Sequence, residues 1–345
     1  MADIPPIAPN RDLRRILRQI ADGKTLTRVK AAEAFNIIMI GEASDVETAA
    51  FLTGLASRGE TAEELIGVVS VLRDAMERPG KKAPVHATDI CGTGGDGSGM
   101  FNVSTAAAIV AAGAGASITK HCSRAASSSS GSADVLSELG VKIDATPSTD
   151  THGPDKLIFL YAPMYHPALA RIAPIRNMLG FRTIINLAAP LANPMRVQRQ
   201  VVGVARKAHQ PLLASTLSVL GTEHALIVNG EYDASGIDEI TTTGTTRVIE
   251  LKQYAKTVYE LTPEQFGLKR VKAGVLMASG PSQSADIIRR VLAGSPGPHR
   301  DIVLLNAAAA IYVGGIAETI ADGFERAKAA IDSGAARAML ERLVS

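Results

Sequence analysis

The residues best suited to chemistry lie between Asp89 and Ala108, where a glycine-rich stretch runs into a series of hydroxyl side chains. Gly92, Gly94, Gly95 and Gly97 follow a short apolar segment, and glycine lets a backbone turn sharply and approach a ligand closely. A helix that starts directly afterwards presents free N–H groups and its positive dipole end, which favour phosphate. The stretch matches neither the dinucleotide fingerprint nor a Walker loop. It indicates a phosphate-binding loop, and a plain tight connection is the alternative.

A second polar group follows along the chain. Lys120–Arg124 ends the next predicted strand, and Gly131–Asp134 opens the helix after it, with the serine run Ser127–Ser130 between them typical of a flexible loop. Successive parallel strands end at the same edge of a sheet, where open α/β sheets bind their ligands. We therefore expect both polar groups to share one site, although a Lys-His pair alone is more typical of a solvated surface.

The elements that must position these groups alternate between strand and helix after Pro84, which predicts a central, mostly parallel or mixed sheet flanked by helices. The predicted strands are Thr88–Cys91, Ala116–His121, Leu157–Tyr161, Val201–Ala205 and Ala225–Val228. The predicted helices are Ser104–Gly113, Ser132–Leu139, Ser282–Ala293, Ile302–Val313 and Ala317–Asp332.

The chain before this point contains only helix signals. Ser44 with Glu47 and Thr61 with Glu64 form two capping boxes, each ahead of an apolar periodic run. The sequence thus predicts a small all-helical domain over residues 1–78, which also receives a helical segment near 170–195. A larger α/β domain is predicted over 84–345, after a Pro-Gly-Lys-Lys linker.

Composition excludes several classes of protein. The 345 residues are 46% hydrophobic and 20% charged, which is typical of globular chains. A net charge of +2 and 4% aromatic residues offer neither a global field nor a stacking surface for nucleic acid. Cys91 and Cys122 cannot form a disulfide framework, and no apolar stretch has secretory or membrane-spanning length. We expect a soluble, cytoplasmic protein that binds neither membranes nor nucleic acid.

The order of motifs along the chain resembles that of anthranilate phosphoribosyltransferases over nearly its whole length. The matching segments are GTGGD (92–96), NVST (102–105), KH-x-x-R (120–124), SGSAD (130–134), His166-Pro167, Arg176, LANP (191–194) and Asp238-Glu239. The resemblance implies transfer of a phosphoribosyl group from phosphoribosyl pyrophosphate (PRPP) to the amine of anthranilate, with release of pyrophosphate, in tryptophan biosynthesis. It also implies a homodimer built through the helical domain.

The resemblance assigns most site residues to PRPP and its metal. The implied PRPP-binding residues are Gly92, Gly94, Gly95, Asp96, Asn102, Ser104, Thr105 and Lys120. The implied magnesium ligands are Asp238, Glu239 and Ser104. Hard cations with oxygen ligands suit this chemistry, because they neutralise the departing pyrophosphate. Without the resemblance, an acidic pair after Gly236 is typical of a solvated turn.

The acceptor part of the site must position the acceptor amine, and the reaction needs no nucleophile from the protein. Displacement at the anomeric carbon passes through an oxocarbenium-like state, and no Ser/His/Asp arrangement or metal-ligand spacing of histidines occurs in the sequence. The resemblance places Arg176 on the acceptor carboxylate, which a guanidinium holds with two parallel hydrogen bonds. The implied acceptor-binding residues are His121, Ser123, Tyr165, Arg176 and Ala189. His121 and Tyr165 fit a packed structural role equally well.

Departures from the family pattern concentrate near the acceptor. Cys122 and Ser123 replace a glycine and an asparagine, and Ala188 and Ala189 replace a leucine and a glycine, whereas Thr245 replaces a proline beyond the acidic pair. Cys122, Ser123 and Ala189 support a second hypothesis, a phosphoribosyltransferase for a different aromatic or heterocyclic acceptor. A third, a nucleic-acid-binding paralogue, is disfavoured by the balanced charge and the retained acidic pair.

Overall fold

The computed structural model describes residues 10–124, 130–143, 156–232 and 235–345. Its helices are α1 (Arg11–Ala21), α2 (Arg28–Met39), α3 (Asp45–Arg58), α4 (Ala62–Ala75), α5 (Val103–Gly113), α6 (Ser132–Glu138), α7 (Ala162–Tyr165), α8 (Ala173–Leu179), α9 (Ile184–Ala188), α10 (Gln210–Val219), α11 (Pro281–Leu292), α12 (Pro298–Val313), α13 (Ile320–Asp332) and α14 (Ala335–Val344). Its strands are β1 (Thr88–Gly92), β2 (Ile118–Cys122), β3 (Leu157–Tyr161), β4 (Arg199–Gly203), β5 (His224–Tyr232), β6 (Ser235–Ile237), β7 (Thr246–Lys252) and β8 (Ala255–Leu261). The first three residues of the predicted serine loop, 127–129, lie outside the described residues.

The chain divides into two compact units, a helical one and an α/β one. The helical unit comprises Met1–Glu77 and His166–Ala192, and the α/β unit comprises Arg78–Tyr165 and Asn193–Ser345. The predicted fold class, a helical domain followed by a larger domain with a mixed sheet flanked by helices, is confirmed. No helix in the described part of the chain is both long and apolar enough to cross a membrane.

The helical unit begins its helices at the predicted caps. The Glu47 carboxylate accepts a hydrogen bond from the Ser44 N–H at 3.0 Å, and that of Glu64 accepts one from the Thr61 N–H at 2.9 Å. Glu64 is fully buried and also accepts from the Leu26 N–H, so the cap of α4 fixes the start of α2 as well. Both capping boxes therefore do what their spacing predicts.

The sheet of the α/β unit has the order β3-β2-β1-β4-β5-β7-β8, with β6 paired to β5. The strands from β3 to β5 are parallel, and β6, β7 and β8 are antiparallel additions at one side. The chain moves outward from β1 to β2 and β3, and then returns to place β4 on the other side of β1. This reversal makes the carboxyl ends of β1 and β4 the switch point of the sheet, where a ligand crevice forms.

The sequence pattern missed the antiparallel part of the sheet. The strand predicted at Ala225–Val228 continues to Tyr232 because Asn229, Gly230 and Glu231, which resemble a turn, lie in the ladders that β5 forms with β6 and β7. The outer strand β8 is largely exposed and rich in polar residues, so it shows no hydrophobic signal. Edge strands commonly carry such polar residues, which protect them from pairing with other chains.

Close packing of α2 against α4 requires a glycine at position 67. A Cβ atom there would lie 2.5 Å from the Arg28 carbonyl oxygen and 2.9 Å from the Ala32 nitrogen. We expect Gly67→Ala to lower the free energy of unfolding by about 1–3 kcal/mol, since overpacking forces the backbones apart. Urea unfolding followed by circular dichroism measures this. The control is Gly274→Ala, where nothing lies within 4 Å. An equal effect of both substitutions would contradict the packing argument.

Candidate active site

Three strand glycines make room for an acidic segment at the switch point. Gly92 of β1 and Gly203 of β4 are register partners. A Cβ at Gly92 would lie 2.1 Å from Asp238 Oδ2, and one at Gly203 would lie 1.7 Å from the Asp238 carbonyl oxygen. On β5, a Cβ at Gly230 would lie 2.6 Å from the Glu239 carbonyl oxygen. The backbone that carries the acidic pair therefore passes directly over β4 and β5, and the Asp238 side chain lies directly over β1.

Gly203 and Gly230 were missed at the sequence level. A signal was available, since an isolated glycine in a strand pattern often marks a close approach of another backbone. The segment that makes this approach carries Asp238, which is 35 positions from Gly203 in the sequence. A single sequence gives no indication of which distant segment it is.

The acidic pair reaches the glycine loop and the start of α5. The Gly94 N–H donates to Asp238 Oδ2 at 2.7 Å, and the Ser104 N–H donates to Glu239 Oε1 at 3.1 Å. Asp96, half-buried in the same loop, accepts from the Ser98 N–H at 3.1 Å. The predicted phosphate loop and the predicted metal ligands thus lie together, within one unit of the protein.

The electrostatics of this group favour a cation. Burial, followed by the effect of the neighbouring Asp96, raises the pKa of Asp238 to about 7. Burial also raises the pKa of Glu239 well above its ordinary value, followed by the effect of Asp238. Both side chains are half-buried, so they are poorly solvated yet still reachable from solvent. Carboxylates in this condition are stabilised by a hard divalent ion.

The donor set fits magnesium that arrives with phosphates. Among the described residues no cluster of three or more His, Cys, Asp or Glu side chains is arranged to hold a metal ion. Magnesium rarely needs such a cage, since it keeps several waters and is bound by one or two carboxylates plus substrate phosphates. Asp238 and Glu239 meet that smaller requirement.

The amino end of α5 supplies further polar groups. The Asn102 side chain does not cap the helix, because its Oδ1 accepts from the Ser130 and Ser284 hydroxyls, both at 2.9 Å. The Thr105 hydroxyl is buried without a hydrogen-bond partner among the described residues. A phosphate oxygen at this helix end would satisfy such a donor. Ser284, which fixes Asn102, carried no sequence signal that singled it out.

The Lys120 side chain is buried between β1 and the start of α5 rather than exposed to solvent. It is only 3% exposed, and its Nζ donates to the Ile90 carbonyl oxygen at 2.5 Å and to the Ser104 hydroxyl at 3.1 Å. Its charge therefore lies close to the predicted phosphate and metal ligands, and its hydrogen bond orients Ser104.

A buried carboxylate ties β1 to β2. Asp89 accepts from the His121 N–H at 3.2 Å and from the Asn193 amide at 2.8 Å, and Asn193 also donates to the Thr119 carbonyl oxygen. Burial raises the pKa of Asp89 to about 6, against the opposing effect of Lys120. Neither Asp89 nor Asn193 was a predicted site residue, although Asn193 lies inside the LANP motif and Asp89 begins the stretch that contains the glycine loop.

The predicted acceptor residues fall on both units. His121 is half-buried and Ser123 is exposed in the α/β unit, and Tyr165 packs there with Ile158 and Leu160 at 5% exposure. Arg176 and Ala189 belong to the helical unit.

Arg176 is the acceptor residue with the clearest electrostatic character. It lies on α8, and burial lowers the pKa of its guanidinium. The guanidinium has no hydrogen bond or ion pair with any residue that the structure describes. A half-buried guanidinium without an acidic partner is suited to a carboxylate ligand.

Three departures from the family pattern are accommodated by packing. The Cys122 side chain is 3% exposed in the main core, where its thiol donates to the Leu160 carbonyl oxygen at 3.4 Å. Ala188 is fully buried, and the N–H of Thr245, which a proline would lack, donates to the Glu231 carboxylate at 2.9 Å. The Cys122 side chain therefore packs into the core, and this departure changes packing rather than a ligand surface.

Comparison with known proteins first identifies the class of enzyme to which the chain belongs. Residues 14–76 match the helical bundle domain of a glycosyl transferase family, and residues 85–337 match its a/b domain. The class that fold and site define is therefore a glycosyltransferase.

Named relatives narrow the class. Anthranilate phosphoribosyltransferase of Azorhizobium caulinodans is 44% identical over 332 residues, covering 96% of this chain and 95% of its own length. The crystal structure of that enzyme from Thermus thermophilus matches with a TM-score of 0.86 at 38% identity, over 95% of this chain and 98% of that one. The Saccharomyces cerevisiae enzyme, in complex with PRPP and Mg, matches with a TM-score of 0.85 at 27% identity, over 96% of each chain. The chain belongs to the anthranilate phosphoribosyltransferase family.

Substitution of Gly203 tests the steric role of the strand-end glycines. In Gly203→Ala the new methyl group would displace the Asp238 backbone, so we expect kcat/KM to fall by about a hundredfold, as for ångström-scale misplacement in other active sites. Steady-state kinetics measure this, with Gly274→Ala as the control. Unchanged kinetics in a folded Gly203→Ala protein would show that the close approach has no catalytic importance.

The thiol of Cys122 is expected to be unreactive in the native protein. Burial raises its pKa to about 12, and only the thiolate is nucleophilic. Iodoacetamide at mildly alkaline pH should leave Cys122 unmodified in the folded chain and alkylate it after denaturation, as read by mass spectrometry. Rapid native alkylation would contradict its placement in the core.

Proposed function

We propose that this chain transfers the phosphoribosyl group of PRPP to the amine of anthranilate, with magnesium, and releases pyrophosphate in tryptophan biosynthesis. The observation that carries the proposal is the meeting of a glycine loop, a helix amino end and an acidic pair at the switch point of the sheet. Relatives with this activity in their names align over nearly the whole chain.

The reaction requires binding and orientation from these residues. The amine nitrogen forms a bond to the anomeric carbon as the bond from that carbon to the pyrophosphate oxygen breaks, and the amine then loses a proton. Bound magnesium would neutralise charge on the leaving pyrophosphate, held by Asp238 and Glu239 with Ser104 beside them. The loop N–H groups and the Lys120 ammonium add positive potential in the same place. An aromatic amine is uncharged near neutral pH, so its attack needs no strong base.

The positions of the residues that depart from the family pattern favour anthranilate over another acceptor. Cys122 and Ala188 are buried, so these two changes alter packing rather than a ligand surface. Ser123 is exposed and Ala189 is half-buried, so these two departures remain able to meet an acceptor.

The decisive experiment is PRPP consumption measured with anthranilate and with a panel of other aromatic amines and heterocycles. We expect anthranilate to give the highest kcat/KM, EDTA to abolish turnover, and added magnesium to restore it. A heterocycle that outperforms anthranilate would favour the alternative acceptor. Absence of turnover with every acceptor would contradict the proposed function.

We further propose a cytoplasmic homodimer formed through the helical unit. This unit exposes several large apolar side chains, among them Val29 at 74%, Val46 at 79% and Met178 at 75%. Where such side chains form one contiguous patch, another protein commonly covers it. Analytical ultracentrifugation tests this, and a monomer at all micromolar concentrations would contradict it.

Arg176 provides the sharpest test of acceptor binding. We expect Arg176→Ala to raise the KM for anthranilate by about 10- to 100-fold, which corresponds to losing hydrogen bonds between charged groups. The KM for PRPP should change little. Arg15→Ala, on an exposed face of α1 in the same unit, is the matched control. Equal increases in both KM values would argue against a role specific to the acceptor.

A further inference from the structure

The acidic pair occupies two amide donors of the predicted phosphate site. Asp238 Oδ2 takes the Gly94 N–H at 2.7 Å, and Glu239 Oε1 takes the Ser104 N–H at 3.1 Å. Gly94 lies in the glycine loop, and Ser104 is the second residue of the 11-residue helix α5. Each carboxylate oxygen therefore stands where an anionic oxygen of a ligand would be expected to stand.

Neither amide has another acceptor among the residues that the structure describes. The first N–H groups of a helix lack an intrahelical partner, and a glycine loop presents its N–H groups outward to a ligand. The two carboxylates belong to adjacent residues, and both reach backbone amides of the same phosphate site. Lys120 donates to the Ser104 hydroxyl at 3.1 Å, and Asp96 is a further acid beside Asp238.

We propose that Asp238 and Glu239 act as placeholders for the pyrophosphate group, and exchange the Gly94 and Ser104 amides for magnesium when the metal-bound ligand enters. The inference rests on the proposed function and adds how this site distinguishes a metal-bound from a metal-free ligand. No covalent step is involved, since the carboxylates change only their non-covalent partners.

The exchange couples the metal to the phosphates. A metal-free pyrophosphate meets amides that are already occupied and carboxylates of like charge beside them, and both effects weaken its binding. A magnesium-bound ligand offers each carboxylate a new partner, so the amides become available to phosphate oxygens. By linkage, pyrophosphate must strengthen magnesium binding by the same factor.

The test is calorimetric titration of the full chain with inorganic pyrophosphate, in EDTA and in excess magnesium. Asp238→Ala and Glu239→Ala vacate the amides, whereas Asp238→Asn and Glu239→Gln keep an oxygen in place and remove the charge. We expect the alanine variants to bind metal-free pyrophosphate about tenfold or more tighter than wild type, with the isosteric variants intermediate. Magnesium should strengthen binding to wild type and have little effect on the alanine variants.

Glu47→Gln is the matched control, because Glu47 is also a carboxylate bonded to a backbone N–H, at Ser44 of the helical unit. It should leave pyrophosphate binding unchanged. Circular dichroism melting establishes that each variant is folded. If the alanine variants unfold, isosteric variants that bind metal-free pyrophosphate no tighter than wild type contradict the inference.

Two results would overturn the inference. Alanine variants that bind metal-free pyrophosphate no tighter than wild type would show that the amides are not blocked. Equal gains in the alanine and isosteric variants would show that charge alone, without occupancy, weakens the metal-free ligand. Failure of the proposed function would give a different titration result, because the wild-type protein would then bind neither PRPP nor pyrophosphate even with magnesium.

Discussion

The site depends on a steric constraint, the absence of side chains at the facing strand ends of Gly92 and Gly203. Because these positions are register partners in β1 and β4, the segment with Asp238 lies directly upon both. The acidic pair can then reach the loop after β1 and the amino end of α5 at the same time. Any side chain at either glycine would lift the carboxylates away from the amides. The chemistry of the site therefore follows from how closely the backbone and side chain of Asp238 approach these two glycines.

Around that contact, buried polar groups hold the strand ends in position. Asp89 and Asn193 join β1 to β2 through hydrogen bonds, and the Lys120 ammonium donates to the Ser104 hydroxyl. Asp89, Asn193 and Lys120 are nearly inaccessible to water, so an unsatisfied partner would carry a full desolvation penalty. Such networks favour one arrangement of the loop over its alternatives. The site is shaped by residues that need not touch a ligand.

Local signals in the sequence predicted the local structure well, and failed where distant segments meet. The capping boxes at Ser44 and Thr61 involve residues three apart, so their geometry is encoded within a single turn. The sequence could not predict which face of the sheet the Cys122 side chain occupies. Strands of a parallel sheet are buried on both faces, so their sequences show no alternation that distinguishes one face from the other. The motifs indicated which residues cluster at the switch point. They could not indicate Gly203, whose role is defined by a neighbour far along the chain.

The composition of α5 has a thermodynamic consequence. The helix is buried almost throughout and consists largely of alanine, whose side chain has no rotamers to lose. At its far end, Gly113 would bring a Cβ within 2.7 Å of the Ala336 backbone, so the helix has little room to shift. The entropy of ordering the helix that presents the phosphate-facing N–H groups is thus lost during folding. Ligand binding at this helix end should then be accompanied by little further loss of motion, and its heat should come mainly from charge and hydrogen bonds.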